Sequence, residues 1–264
     1  MTAADAQILI ETDGPIGTLI FSNPRRMNAL TLAMWKSIGA AIAELDSNPD
    51  VRVIILRGAG DQAFVAGADI SEFADVRQDA ESSRHYEEAN AGGYRAIRGC
   101  SKPTIAMVAG PCLGGGVGIA LACDLRIAAA NSIFGIPAAR LGLGYPPDCM
   151  VDLVSTIGAS AAKDLFFTAR RVQADEALRM GLVSQVVPVD ELSARVRTLA
   201  QSIASNAPMT IRAAKAAIDR LAHDPSPESL VKAAALTDAC YESIDYAEGR
   251  TAFLEKRPPV FIGR

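Results

Sequence analysis

Residues 112–124 read CLGGGVGIALACD, with three consecutive glycines, Gly114 to Gly116, and a fourth at Gly118 opening an otherwise apolar stretch. Glycine inside a helix costs about 1 kcal/mol relative to alanine, so a run of four needs a physical reason. The preceding KPTIAMVAG (102–110) reads as a buried strand, which makes the glycines a strand-to-helix turn. Such a turn leaves the first helical N–H groups unpaired at the positive end of the helix dipole. Without Cβ atoms, a ligand can touch that backbone directly. Three readings follow: close packing of the helix on a neighbouring strand, a phosphate loop, or an oxyanion hole whose N–H groups stabilise charge on a carbonyl oxygen. A GxxxxGK[ST] pattern is absent and no GxGxxG follows the first strand, which argues against the phosphate loop.

A second segment has the same form. AFVAGADISEF (63–73) follows a β-branched run at 51–57 by a short loop and opens a short helix with Gly67 and Ala68 at its entrance. Two such turns on adjacent units can present one N–H each to the same oxygen.

The rest of the chain alternates strands and helices. QILIETDG and IGTLIFSN are strands parted by Asp13-Gly14-Pro15, a hairpin signal. TLAMWKSIGAAIAELDSNPD has helical spacing, with Leu32, Trp35, Ile38, Ile42 and Leu45 on one face, Thr31 as N-cap and Asn48-Pro49 as the stop. An amphipathic helix is expected within 79–99, and DLRIAAANSIFGIP gives two short strands. Beyond about residue 150 the chain reads as mostly helical. VDLVSTIG, SAAKDLFFTA and QADEALRMG precede the strand LVSQVVP, and later helices begin near Asp190, Ala207, Ser226 and Asp245. Asp245-x-x-Glu248 has capping-box spacing. No linker-like segment appears, so the expectation is one α/β unit: a core over residues 1–200 and a helical C-terminal region over 201–264.

Half of the 264 residues are apolar and the formal charge is −4, without a basic stripe interleaved with aromatics, which excludes nucleic acid as an expected partner. Apolar runs stop short of the ~20 residues of a membrane span, and MTAADAQILIETDG lacks the regions of a signal peptide, so a soluble, cytoplasmic protein is expected. Cys100, Cys112, Cys123, Cys149 and Cys240 show no CxxC spacing and read as reduced core thiols. No metal site is expected, and His85 and His223 sit in polar, solvated stretches.

The pair AFVAGADI and KPTIAMVAGPCLGGGVGIALACDLRIA, together with NPRRMNALT, FGIPAARLGL, ADEALRMGLVSQVVP and AFLEKRPPVF, resembles the crotonase superfamily, the enoyl-CoA hydratase/isomerase family, over nearly the full length. The resemblance implies a crotonase-type spiral of repeated strand-strand-helix turns with C-terminal helices used for trimerisation, often as a dimer of trimers. It implies an acyl-CoA thioester as substrate and no cofactor beyond that coenzyme A. By position, Ala68 and Gly115 would supply the two N–H donors to the thioester oxygen and stabilise an enolate. Arg25, Arg26 and Met27 fall at the nucleotide end of coenzyme A. Ala66, Gly67, Asp69, Ile70 and Gly114 flank the adenine and pantetheine, although Asp69 also reads as a plain helix cap. Phe253 and Lys256, at i and i+3 on the last helix, would complete the CoA site, often from a neighbouring subunit.

One departure bears on the reaction. Hydratases of the family use two glutamates to hold and activate a water, and their positions hold Gly118 and Ala138 here. Adding water to an enoyl thioester needs a base on the nucleophile and an acid at the α-carbon, and neither residue can serve. Standard hydration is therefore not expected. LGLGYPPDCMVDL offers Tyr145, Asp148 and Asp152. Tyr145 falls where a methylmalonyl-CoA decarboxylase of the superfamily places a tyrosine, but it also suits a turn. Asp148 lies two residues beyond the aspartate of dienoyl-CoA isomerases and also suits an N-cap. Asp152 reads as a surface residue. His85, Tyr86, Glu87 and Tyr94, in a segment that lines the acyl pocket in the family, stand in reserve, as does Tyr241. Decarboxylation, isomerisation and acyl-CoA binding without catalysis all remain open.

Overall fold

The computed structural model describes residues 6–223 and 226–264; the side chains of Asp148 and His223 lie outside what it describes. The expected hairpin forms from β1 (Gln7–Asp13) and β2 (Ile16–Ser22), paired antiparallel from Gln7↔Ser22 to Asp13↔Ile16. Helix α1 (Leu32–Ser47) follows, with the Thr31 hydroxyl accepting from the Met34 amide as its N-cap. β3 (Val53–Gly58) lies parallel to β2, and its run of β-branched residues marks a strand covered on both faces. Next come the short α2 (Phe73–Val76), the long α3 (Ala80–Arg98) and β4 (Thr104–Val108), parallel to β3. The glycine run then joins β5 (Pro111–Leu113) to α4 (Gly115–Ala122).

β6 (Leu125–Ala129), β7 (Ile133–Gly135), α5 (Ala138–Leu141), α6 (Val151–Thr168), β8 (Arg171–Gln173), α7 (Ala174–Arg179) and β9 (Gln185–Val187) complete the α/β part. The C-terminal helices are α8 (Leu192–Ala204), α9 (Pro208–His223), α10 (Pro227–Tyr241) and α11 (Ile244–Glu255). A six-stranded sheet runs β1-β2-β3-β4-β6-β9, parallel from β2 onward, and a three-stranded sheet runs β5-β7-β8.

Strand alternation divides the core. Leu19, Ile54, Leu56, Ala106 and Ala128 pack with α1, α3 and α4, whereas Val53, Ile55, Ile105 and Ile127 meet Leu192, Val196, Ala200 and Ala204 of α8. Residue 200 thus lies inside a helix that belongs to the sheet core, and the purely helical region begins after Ala204.

Three expectations are corrected. Asp152 is not a surface residue: it is 6% exposed and its carboxylate accepts from Arg98 at 2.5 and 2.8 Å, joining α6 to α3. The cap of α11 is Ser243, whose hydroxyl accepts from the Tyr246 amide, while Asp245 holds the amides of Ile262 and Gly263 and Glu248 pairs with Arg257. Lys256 is not on the helix face of Phe253; it is the left-handed C-cap of α11, at φ +54°. The separate readings of VDLVSTIG and SAAKDLFFTA have a physical basis, since Gly158 (φ +76°, ψ 160°) breaks α6 between them.

Candidate active site

The two strand-to-helix turns are tied together by backbone. Val65 and Cys112 form a parallel bridge, and the Leu113 amide donates to the Val65 carbonyl at 3.0 Å. This approach explains each glycine separately. Gly114 adopts φ +51°, ψ −115°, a conformation closed to side chains. A Cβ on Gly116 would sit 2.2 Å from the Val65 carbonyl oxygen, and one on Gly115 would meet the Trp35 ring at 2.7 Å.

The same register fixes the free amides. The Leu30 amide donates to the Gly67 carbonyl and the Asp69 amide to the Leu30 carbonyl, each at 2.8 Å. Ala68 lies between these two bonds, so its own N–H points to the opposite side of the bridge. Gly115 is the first residue of α4, where an amide has no intrahelical acceptor.

Both residues line a cavity of about 100 Å³, together with Ala66, Gly67, Ile70, Gly114, Ala138 and Tyr145. α1 contributes Trp35; Phe73 and Arg77 come from α2 and its C-terminus, and Glu87 and Asn90 from α3. Sequence reasoning missed Arg77 and Asn90. The available signal was the spacing of Glu87, Asn90 and Tyr94, which puts three polar groups on one stripe of α3.

Gly118 and Ala138 divide the remaining space differently. Ala138 is buried in the cavity wall. Beside Gly118, the room for a side chain is filled by Tyr94: a Cβ there would lie 2.5 Å from the phenol ring and 2.6 Å from its oxygen. Tyr94 stacks edge-on against Trp35 and its hydroxyl donates to the Gly115 carbonyl at 3.3 Å. Burial holds its pKa well above the ordinary tyrosine value. It is a packing residue below the glycine turn and is not among the residues lining the cavity.

Tyr145 does reach the cavity, in the loop after α5. Its ring packs edge-on against Phe166 at 5.1 Å, and its hydroxyl is 3.6 Å from the Cβ position of Gly114. Burial, and then the nearby Glu87 carboxylate, raise its pKa, so the phenol is protonated at neutral pH. The Glu87 carboxylate is held by Arg77 (2.5 Å) and by the Asn90 amide (3.3 Å).

The other predicted residues are more scattered. Asp69 is a buried cap: it accepts from the Ser71 amide and hydroxyl and from the Asn23 amide. Burial opposes its ionisation, but the Ser71 and Asn23 bonds outweigh that and hold the carboxyl below its ordinary value. Arg25, Arg26 and Met27 are exposed on a turn whose Met27 carbonyl accepts from the Ala66 amide at 3.1 Å. Phe253 lies away from the cavity, 84% exposed on α11, in a groove that Tyr241 also lines. His85 is exposed; Tyr86 is buried, accepts from Trp35 Nε1 at 3.2 Å, and is pushed up to about 12 by burial.

The chain is similar to known proteins over almost its whole length. The family profile described as enoyl-CoA hydratase/isomerase matches residues 11–264. The short-chain-enoyl-CoA hydratase of Clostridium acetobutylicum is 36% identical over 252 residues, covering 95% of each chain. The crotonyl-CoA hydratase of Syntrophomonas wolfei is 36% identical over 259 residues, covering 97% of this chain and 98% of its own. Among solved structures, an enoyl-CoA hydratase/carnithine racemase from Magnetospirillum magneticum superposes with a TM-score of 0.91 at 38% identity, covering 97% of this chain and 96% of that one.

Proposed function

Because the chain belongs to the enoyl-CoA hydratase/isomerase family, we propose that it processes acyl-CoA thioesters through an enolate and does not add water by the two-glutamate route. The observation that carries this reading is a contrast around the two glycine-bearing turns. Ala68 and Gly115, whose amides the Leu30 bridge and the start of α4 turn away from backbone acceptors, line the cavity, whereas Ala138 in its wall and Gly118 beneath Tyr94 stand where the family resemblance would place carboxylates. The amides would hold the thioester oxygen as it gains negative charge, and losing one such donor typically costs about 3–4 kcal/mol of transition-state stabilisation.

The ionisable groups set which enolate chemistry fits. Tyr145 is a protonated acid and a poor base, and Glu87 is held by Arg77 and Asn90. A site with an acid and no unencumbered base suits a reaction that generates the enolate without proton abstraction. Loss of CO₂ from a malonyl-type thioester does this. The bond from the α-carbon to the carboxylate breaks, its electron pair passes into the thioester carbonyl, and the enolate rests on the two amides. The α-carbon then takes the Tyr145 proton, and solvent returns a proton to the phenolate. Isomerisation would instead need a base, for which Asp148 is the sequence candidate.

The test is a panel of malonyl-, methylmalonyl-, crotonyl- and 3-enoyl-CoA, with product analysis in D₂O. Release of CO₂ with one deuterium at the α-carbon is expected, and Tyr145→Phe should lower kcat by about 10²-fold or more with CoA-ester binding retained. Rapid hydration of crotonyl-CoA would overturn the proposal. Tight binding of every ester with turnover of none would make the protein an acyl-CoA binder.

A further inference from the structure

The amides of Ala68 and Gly115 lie beyond the backbone bond that ties their turns together. That bond, from the Leu113 amide to the Val65 carbonyl, stops short of both residues. Past it, each turn runs through a glycine at positive φ, Gly67 at +109° and Gly114 at +51°. Glycine is the residue least able to hold a backbone direction on its own. An oxyanion needs its donors at about 2.7–3.1 Å from one point, so the separation of the two amides requires a second brace.

One pair of buried side chains spans both turns. The Trp35 indole, 1% exposed, lies against Gly115, where a Cβ would meet its Cζ2 at 2.7 Å. Gly93 of α3 leaves room for the other edge of that ring, since a Cβ there would meet Cε3 at 3.2 Å. The indole Nε1 donates to the Tyr86 hydroxyl at 3.2 Å, and that hydroxyl donates to the Leu30 carbonyl at 3.4 Å. Chemistry fixes the direction: an indole nitrogen only donates, so the phenol oxygen accepts from it and gives its own proton to the carbonyl. Burial pushes the Tyr86 pKa up to about 12, which keeps that proton in place at neutral pH. Leu30 is the bridge partner of Ala68, and its carbonyl also takes the Asp69 amide at 2.8 Å. A continuous path of contacts therefore runs from Gly115 through Trp35, Tyr86 and Leu30 to Ala68. The Tyr86 ring is itself held beneath the Arg77 guanidinium at 4.0 Å.

We infer that Trp35 and Tyr86 are positioning residues that set the separation of the Ala68 and Gly115 amides, acting on a bound thioester oxygen through the backbone. This rests on the acyl-CoA reading of the same cavity. Tyr86 is not among the residues lining that cavity, so its variant tests the path without altering a surface the ester touches.

The test reads the thioester carbonyl directly, by isotope-edited infrared spectra of butyryl-CoA labelled at its carbonyl and bound to the full chain. In the wild type, binding should lower the carbonyl stretching frequency, because two N–H donors draw charge onto the oxygen. Tyr86→Phe keeps the ring and cuts the path. It should give back part of that frequency shift and lower kcat about tenfold for the ester turned over fastest, with KM and butyryl-CoA affinity within about twofold of wild type. Trp35→Phe should act in the same direction, and combining it with Tyr86→Phe should slow the enzyme no further, since both changes cut one path. Ile42→Val, buried further along α1, controls for lost packing: it should lower the denaturation midpoint and leave frequency and kcat unchanged. A wild-type frequency in Tyr86→Phe, or purely additive effects in the double variant, would overturn the inference and leave the acyl-CoA reading standing. If butyryl-CoA does not bind the wild type, or binds with no lowering of the frequency, the acyl-CoA enolate reading falls and takes this one with it. Where Tyr86→Phe fails to fold, Trp35→Phe decides by the same frequency.

Discussion

At the scale of single residues, Gly118 shows how a neighbouring side chain takes up the room beside a glycine. The Tyr94 phenol occupies the space a longer residue would need, 2.5 Å from the Cβ position. Gly118→Glu alone should therefore cost several kcal/mol of stability through overpacking and a buried charge, read as a lowered denaturation midpoint. A carboxylate should be accommodated only when Tyr94 is trimmed, as in the triple variant Gly118→Glu, Ala138→Glu, Tyr94→Ala. Gain of crotonyl-CoA hydration by the triple variant alone is the expected outcome, and gain by the Gly118→Glu, Ala138→Glu pair would show that Tyr94 is not the obstacle. Asp69 gives a pH-dependent case. Its native pKa lies below the ordinary value near 4, so its bonds to Ser71 and Asn23 stabilise the fold above that value and are lost as pH falls through the lowered native pKa. Asp69→Asn should be about 1 kcal/mol less stable than wild type at pH 7, and the two should converge toward pH 3 in denaturant titrations.

At the scale of elements, the site depends on how α3 is held against its neighbours. α3 begins with a reciprocal capping box between Asp79 and Ser82 and packs along α1. It is also fastened to α6 by Arg98 and Asp152. That pair is mostly buried, so Asp152→Ala should cost about 2 kcal/mol, between the roughly 0–1 of exposed pairs and the 3–5 of fully buried ones. Because α3 also carries Glu87 and Asn90, the same variant should weaken binding of short acyl-CoA esters, measurable by titration under conditions where it is fully folded. A stability loss with unchanged binding would separate the α3–α6 contact from the cavity. The period of α1 and the strand alternation were readable from the sequence because both are local. The α3–α6 ion pair was not, since Asp152 and Arg98 lie 54 residues apart and a lone aspartate in a helix reads as solvated.

At the scale of the whole molecule, the C-terminal helices carry large apolar side chains on their surface: Phe253 is 84% exposed and Leu254 is 81% exposed. With Ile218, Leu221 and Val231 also exposed on α9 and α10, the helical region leaves five large apolar side chains in water, and exposed apolar patches commonly mark protein–protein contact sites. We propose that these helices join copies of the chain. Sedimentation should give the mass of a trimer or of a dimer of trimers, and a species of 27.7 kDa at micromolar concentration would sink the idea. No helix among the described residues is long and apolar enough to cross a membrane. The family, the order of strands and helices and the two glycine-bearing turns were legible in the sequence, because they rest on backbone geometry, on periodicity and on motifs that occupy contiguous residues. Gly114 had to be glycine for its positive-φ turn, whereas Gly115 and Gly116 are required by their close approach to Trp35 and the Val65 carbonyl. What surrounds Gly118 and Ala138 was decided by tertiary packing. Tyr94 fills the space beside Gly118 from 24 residues upstream, Tyr145 reaches the cavity from a loop, and Arg77 and Asn90 meet around Glu87. Those outcomes depend on which side chains meet after the helices have packed, and no local pattern encodes that.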